Sequence, residues 1–443
     1  MKVSRCFCLL LLIISLSNPA AANKTTGLVK TAATKLANRA LLLGTSLVLA
    51  CGLIACDEPN LRQELFDAGV IATPEDESAI LKIGMSYDGT ATSNPMSGAQ
   101  LAVDQINAAG GIHGLNLQLV ARDNLGDSVA SYVVAEELVV DERIQAFIGS
   151  STYAQLVAEV AHRYEVPMLT TIITNSSVTA SGNYIFMAAF SNEFQGQELA
   201  RFARNDLEAT RAAIISQDRK AYARTLAQHF TTTFGDEGGN PITVHEKYLA
   251  GTTNFTEQLR AVALSKPDVV FVAGITPEVA LIVKQGKAMG IKATFIGADG
   301  WASDDLLAFG GQALNGSFFL DHFSATNDQA SAEARQFIAD YAAANGGDLP
   351  SSPEALAYDA VRIIAQALER AGSIYGDAIR DEIAATEGYS GATQLAGYTD
   401  DRQAIKSAVI NSIKDGKIIF YKALPVDLPA ETVPTDAAAD HAE

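Results

Sequence analysis

Residues 80–121 read ILKIGMSYDGTATSNPMSGAQLAVDQINAAGGIHGLNLQLVA, and their pattern decides the fold. Ile80-Leu81-Lys82-Ile83-Gly84-Met85 is a short, nearly continuous apolar run, as expected of a strand buried on both faces. From Asn94 to Ala109 the apolar residues Ala99, Ala102, Val103 and Ile106 share one face at helical spacing. Gly110-Gly111 stops that helix, because glycine takes the left-handed cap conformation without steric cost. Leu115 to Ala121 is the next strand. Strand, helix and strand within some forty residues make one parallel crossover unit.

The unit repeats along the chain. Further strands are expected at 146–149, 166–170, 212–216, 244–249, 269–273, 294–297 and 318–322. Helices are expected at 129–140, 152–163, 220–234, 254–263, 277–289, 331–344 and 353–371. So many alternating units exceed one comfortable sheet. The fold class is therefore α/β, with two doubly wound parallel-sheet lobes. In such sheets ligands bind beyond the carboxyl ends of the strands, so the strand-to-helix loops are the places to inspect.

The chain has 443 residues, 48% of them hydrophobic, with 51 acidic against 32 basic residues and a net charge of −19. Residues 1–56 contain no acid and carry six bases, Lys2, Arg5, Lys24, Lys30, Lys35 and Arg39, so the remaining 387 residues have a net charge of −25. An acidic body repels phosphate backbones and excludes nucleic acid as a partner. All four cysteines, Cys6, Cys8, Cys51 and Cys56, fall in the first 56 residues. The body therefore has no disulfide, thiolate metal site or cysteine nucleophile.

The N-terminal region reads as an address. Phe7–Leu16 precedes Ala20-Ala21-Ala22, and Ala40–Ala55 follows Lys35 and Arg39; each has the charged start and short apolar run of a secretory signal. The second ends Leu53-Ile54-Ala55-Cys56, which resembles a bacterial lipobox and implies a lipid anchor on Cys56. The expected product is exported to a periplasm or cell surface and tethered to the membrane. Residues 57–78 are rich in acid and proline and suit an extended tether. Residues 423–443, with their alanines, prolines and acids, are expected to be disordered.

The loops carry no cofactor fingerprint. There is no Gly-x-Gly, no P-loop, no Gly-x-Ser-x-Gly and no His-Glu-x-x-His. No cofactor and no enzymatic activity are expected. What the loops offer is hydroxyls and one carboxylate. Gly149-Ser150-Ser151-Thr152-Tyr153 lies where a helix begins, so its free N–H groups and hydroxyls suit a carboxylate, with Ser150 or Ser151 expected to cap the helix. Thr171-Ile172-Ile173-Thr174-Asn175-Ser176-Ser177 again combines hydroxyls with apolar side chains. Ile296-Gly297-Ala298-Asp299-Gly300-Trp301 sets a carboxylate beside the single tryptophan. Asp299 could cap a helix starting near Ser303 or pair with a ligand ammonium.

The string from Gly98 to Gly114, with Asn107-x-x-Gly110-Gly111-Ile112-x-Gly114, resembles the first helix and turn of type I periplasmic binding proteins. The branched-chain (Leu/Ile/Val) amino acid binding proteins of ABC importers are the most similar. Ala121-Arg122-Asp123-Asn124, Ile148-Gly149-Ser150-Ser151, Val166-Pro167-Met168, Thr276-Pro277-Glu278 and Gly297–Trp301 follow in the same order. The resemblance covers roughly residues 80–422. It implies a clam with a three-crossover hinge. Lobe 1 would take 79–191 and 323–400, and lobe 2 would take 192–322 and 401–422. A small ligand would be captured between them, most simply an aliphatic or other α-amino acid, and delivered to an ABC permease in the membrane. The alternative is a sensor of an amide or small carboxylate acting with a separate receptor.

Residue by residue, the resemblance gives Ser151 to the ligand carboxylate and sets Thr174 near both the carboxylate and the ammonium. Ile172 falls where backbone groups meet the ligand, and Asp299 where an acid pairs with the ammonium. Tyr222 falls where a second-lobe tyrosine closes over the ligand. Ile275 stands where the Leu/Ile/Val binders have an aromatic, and Ala91 falls near another aromatic position. The expected side-chain pocket is Tyr87, Tyr153, Tyr222, Ile275 and Trp301, with no histidine or lysine among the cleft positions.

Overall fold

The computed structural model describes residues 79–426, save 92 and 304. The signal-like segments, Cys56, the tether and most of the C-terminal tail lie outside the described residues.

The first sheet has five parallel strands in the order β2-β1-β3-β4-β5: β1 (Ile80–Tyr87), β2 (Asn116–Asp123), β3 (Ala146–Ser150), β4 (Met168–Thr170) and β5 (Ile185–Met187). Three helices connect β1 to β4: α1 (Pro95–Ala108), α2 (Ser128–Val140) and α3 (Ala154–Arg163). Helices cover both faces. One buried cluster joins Leu81, Ile83 and Ile148 to α1, and another joins Phe147 and Met168 to α2 and α3. Full burial of each large apolar side chain contributes roughly 1.5–3 kcal/mol.

The second sheet holds β6 (Ala212–Gln217), β7 (Ile242–Tyr248), β8 (Val269–Ala273), β9 (Thr294–Gly297), β10 (Phe318–Asp321), β14 (Ala408–Lys414) and β15 (Lys417–Leu424). Their order is β15-β14-β10-β9-β8-β6-β7. The five strands from β6 to β10 are parallel, while β14 and β15 add an antiparallel ribbon at one edge. Helices α4 (Asn192–Asn205), α5 (Ala221–Thr231), α6 (Thr256–Ser265), α7 (Glu278–Ala288) and the short α8 (Asp305–Gly310) accompany it.

After β10 the chain returns to the first lobe as α9 (Ala332–Ala344), α10 (Ser352–Ala371) and α11 (Gly376–Ala384). A small antiparallel sheet follows, with β11 (Tyr389–Ser390), β12 (Gln394–Tyr398) and β13 (Ala404–Lys406). The buried residues Phe337, Val361, Ile364 and Leu395 belong to the same cluster as Leu81 and Ile83. Helices α1 and α10 meet where Gly98 faces the Glu354 carbonyl; a Cβ there would lie 2.0 Å from that oxygen. Glu354 closes a capping box with Ser351 and also accepts the Asn94 N–H at 2.8 Å, so both helices start from one carboxylate.

The chain passes between the sheets at 188–191, 322–331 and 407. The third passage falls later than the expected break at 401, because β13 still pairs with β12. The last strand runs to Leu424, past the expected end at 422. Sequence periodicity leaves out β5, α4, α11 and every strand from β11 to β15. Among the described residues no helix is long and apolar enough to cross a membrane.

Candidate ligand-binding cleft

A cleft of about 300 Å³ opens between the carboxyl ends of the two parallel sheets. Its first-lobe wall comes from the ends of β3 and β4 and the start of α10: Thr152, Thr171–Asn175, Ser352 and Leu356. Its second-lobe wall comes from the ends of β6, β8, β9 and β10, including Tyr222, Ile275, Asp299 and His322.

The first-lobe wall is a set of uncommitted hydroxyls. Ser150, Ser151, Thr170 and Thr171 are buried, and none of their hydroxyl oxygens has a hydrogen-bond partner among the described residues. The expected capping by Ser150 or Ser151 does not occur. The N-cap of α3 is Tyr153, with no side-chain bond, since the helix starts at Ala154, three or more residues on. An unpaired buried hydroxyl costs about 1–3 kcal/mol, so this group has a stake in an acceptor brought from outside. Ile172 is partly exposed on the cleft, and Thr174 is buried with its carbonyl accepting the Asn192 N–H at 2.8 Å. Thr152, not Ser151, borders the open space; Ser151 lies one residue back, fully buried.

The second-lobe wall is a connected network. The Tyr222 hydroxyl donates to Asp299 Oδ1 at 2.6 Å and accepts the Gly300 N–H at 2.8 Å. Asp299 therefore binds Tyr222 instead of capping a helix, and its own N–H donates to Gln195 Oε1 at 3.1 Å. Burial, and then the Asp299 charge, raise the Tyr222 phenol well above its ordinary range. His322 Nε2 stands 3.4 Å from Asp299 Oδ2, and the ring stacks on Phe190 with centroids 3.6 Å apart. The geometry is that of an ion pair, but burial drives the imidazole down to about 4 against the pull of Asp299, so the ring is neutral near pH 7. The contact is then a hydrogen bond from the Nε2–H tautomer, and the buried Nδ1 has no partner among the described residues.

The structure brings Thr174, Ile172, Tyr222, Ile275 and Asp299 to one cleft. Trp301 is a correction. It is fully buried in the second lobe, its Nε1–H donates to the Val272 carbonyl at 3.1 Å, and its ring packs against Gly297, where a Cβ would lie 2.1 Å away. The indole thus fills the core beneath the loop instead of lining the cavity. Tyr87 and Tyr153 do not line it either. A second correction concerns bases: His322 and Lys220 both face the cleft. Lys220 is half-buried and lowered by burial, with Glu278 opposing the shift.

Sequence reasoning also missed Asp321, a buried cleft residue at the end of β10. Its Oδ1 accepts the Ser352 hydroxyl and the His322 N–H, the latter at 2.7 Å. Burial raises this carboxyl to about 7. Lys406 is buried too, donates to the Ala188 carbonyl at 2.9 Å and is lowered to about 8 by burial. The rule that parallel sheets present ligands at strand carboxyl ends would have flagged Asp321 and His322, had it been applied to β10.

Together these walls suit a zwitterion. Unpaired hydroxyls on one side face an acidic, mutually braced group on the other. The Tyr222 phenol and the His322 imidazole are both held in their neutral forms near pH 7.

The model of a family described as periplasmic binding protein matches residues 81–417. A Leu/Ile/Val-binding protein of Rhizobium johnstonii is 31% identical over 281 residues, which are 62% of this chain and 74% of the relative. The branched-chain amino acid transporter substrate binding protein LivJ of Streptococcus pneumoniae, solved with isoleucine, is 28% identical with a TM-score of 0.70. That match covers 79% of this chain and all of the other. A leucine binding protein of Thermotoga maritima is 27% identical with a TM-score of 0.69, covering 78% of this chain and 99% of the other.

Proposed function

The chain belongs to the periplasmic binding protein family, of the branched-chain amino acid ABC transporter type, and from that premise we propose that it captures a free α-amino acid between its lobes. The observation that carries this reading is the opposition of Asp299, braced by Tyr222, to the orphaned hydroxyl of Thr171 across one cleft, with the orphaned hydroxyl of Ser151 one residue behind the rim. In this reading Ser151, Thr171 and Thr174 donate to the ligand carboxylate, and Asp299 accepts from the ammonium. Ile172 and Ile275 supply apolar contact, and Tyr222 holds the carboxylate of Asp299 in place. Charge-assisted bonds in a water-poor cleft are the strong ones, which is why one misplaced group matters here. Hinge closure of the lobes buries the ligand, and the closed form is handed to an ABC permease.

The relatives' own names speak of leucine, isoleucine and valine, and that class is the starting point for the ligand. For export, Leu53-Ile54-Ala55-Cys56 supports cleavage before Cys56 and lipid attachment to its thiol. Replacing Cys56 by serine is expected to release the protein from the membrane fraction.

The test of ligand class is a thermal-shift screen over the common amino acids, their amides, short carboxylates and polyamines, confirmed by calorimetry. The protein is unfolded and refolded beforehand to strip carried-over ligand. A ligand at about 100 times its Kd stabilises by roughly 2.7 kcal/mol. Stabilisation by an α-amino acid that Asp299→Ala abolishes supports the reading. Stabilisation only by solutes lacking an amine overturns it.

A further inference from the structure

The cleft has a second chamber. Beyond Asp321 lies a cavity of about 340 Å³ that shares Ser93, Ala302, Asp321 and Ser352 with the first. Its walls are of two kinds. Phe319, Phe323, Pro350 and Ile418 give it apolar surface, and Asn411 with several serines gives it polar atoms. Among its lining residues Asp321 is the only charged one.

The polar atoms point to an N–H ligand. Asn411 is 2% exposed and lies on the antiparallel strand β14; its Nδ2 is aimed at the Phe323 carbonyl at 3.5 Å. Its Oδ1 is buried and has no hydrogen-bond partner among the described residues. Both protein donors to Asp321 fall on Oδ1, and Oδ2 takes neither of them. An amide oxygen and a carboxylate oxygen are both acceptors. A buried carboxylate facing apolar walls is costly unless a cation meets it. The first chamber carries two carboxylates, Asp299 and Asp321, against one ammonium, Lys220, and the buried Lys406 behind it is shared between Asp321 and a third buried carboxyl, Asp359, so one acid remains in surplus. An amino acid zwitterion adds no net charge to that balance, whereas one with a cationic side chain offsets the surplus acid.

We propose that the second chamber is the side-chain subsite of the cleft. It takes an α-amino acid whose methylene stem ends in a cationic nitrogen, with Asp321 and Asn411 as the acceptors at its boundary and within it. This deepens the proposed function and rests on the α-amino acid reading of the first chamber. The stem lies along Phe319, Phe323 and Ile418, as long cationic side chains lie along apolar surface while their heads find polar partners. The branched-chain ligands named for the relatives would leave Asp321 and Asn411 unmet.

The experiment is calorimetry on the purified full chain with leucine, isoleucine, glutamine, ornithine, lysine and arginine. At least one cationic amino acid is expected to bind ten times or more tighter than leucine. Asp321→Asn is expected to cut that preference ratio about tenfold, and Asn411→Leu several-fold. Melting curves verify that each variant is folded, and because each variant serves as its own reference in the ratio, a general loss of affinity does not count. If leucine binds as tightly as every cationic ligand, the subsite proposal fails while the amino acid cleft stands. If glutamine matches lysine, the cationic requirement is overturned. If no amino acid binds at all, the amino acid reading falls, and the subsite with it.

Discussion

The two walls of the cleft are built on opposite principles. On the second-lobe side, Asp299, Tyr222, Gly300, Gln195 and His322 bond to one another before any ligand arrives, leaving Gln195 Nε2 and His322 Nδ1 without a partner among the described residues. On the first-lobe side, Ser150, Ser151, Thr170 and Thr171 are more deeply buried, and their hydroxyls bond to nothing among the described residues. The braced wall fixes where a charge must sit. The unbraced wall holds neutral donors that only an incoming acceptor satisfies. Orientation therefore resides in the second lobe, and the incentive to close resides in the first. Groups held in place do not have to be ordered on binding, so the braced wall adds affinity at low entropic cost.

The comparison can be pressed from the strongest perturbation to the weakest. Trp301→Ala empties the core directly behind the braced wall, and about 3–5 kcal/mol of stability should go with it. Calorimetric unfolding should split into two transitions, with only the second-lobe transition lowered. A uniform shift of one transition would show that the lobes do not unfold separately. Asp299→Ala removes the anion itself, and isothermal titration should show at least a hundredfold loss of amino acid affinity, about 2.7 kcal/mol. Asp299→Asn, which keeps the Tyr222 contact, should recover little, because the charge is what is missing.

Asp321 offers a pH test at the margin between the walls. Its folded value of about 7 lies above the ordinary carboxyl value, so the folded state holds the proton more tightly than the unfolded state. Stability is therefore intact below the unfolded value near 4 and declines as pH rises towards 7. Asp321→Asn should consequently be roughly neutral at pH 4 and below and stabilising by on the order of 1–3 kcal/mol at pH 8. The facing groups are Ser352, His322, Asp299 and the buried Lys406, which itself faces Asp359. Loss of the Lys406 attraction works against the gain. Melting curves of both proteins across pH 4–8 decide it, and a constant difference would mean that Asp321 does not titrate in this range.

Ser151→Ala is the gentlest perturbation and the sharpest comparison. Removing an unsatisfied buried hydroxyl should leave stability unchanged or slightly raised, while ligand affinity falls about tenfold, or about 1.4 kcal/mol. The same substitution logic applied to the braced wall, Tyr222→Phe, should instead lower both. Equal behaviour at Ser151 and Tyr222 would erase the distinction between the walls.

The parallel half of the fold was readable, except for the three-residue β5, because buried strands between helices write themselves as short apolar runs, as at 80–85 and 269–273. The antiparallel pieces were not, since β15 is only partly buried and β11 is two residues long, with no run to detect. Helix α4 hid because its buried face includes Asn192, Gln195 and Gly196 beside Leu199 and Phe202. Asp299 and Tyr222 were legible through their loop positions. Trp301 was misplaced because a loop tryptophan one residue past a cleft aspartate can turn either way, and the bare Gly297 backbone decides that it turns inward. Asn411 had no signal, since nothing in a buried antiparallel strand says which amide faces a cavity.

The packing of Gly98 against the Glu354 carbonyl sets a timetable for biosynthesis. Helix α1 leaves the ribosome early, yet the surface it needs is encoded some 250 residues later. At roughly 5–20 residues per second that surface arrives about 10–50 s afterwards. In the interval α1 can rest on β1 and β2, but the face that meets α10 has no native partner yet in existence. If the chain is exported unfolded, that delay keeps the first lobe from closing before it has crossed.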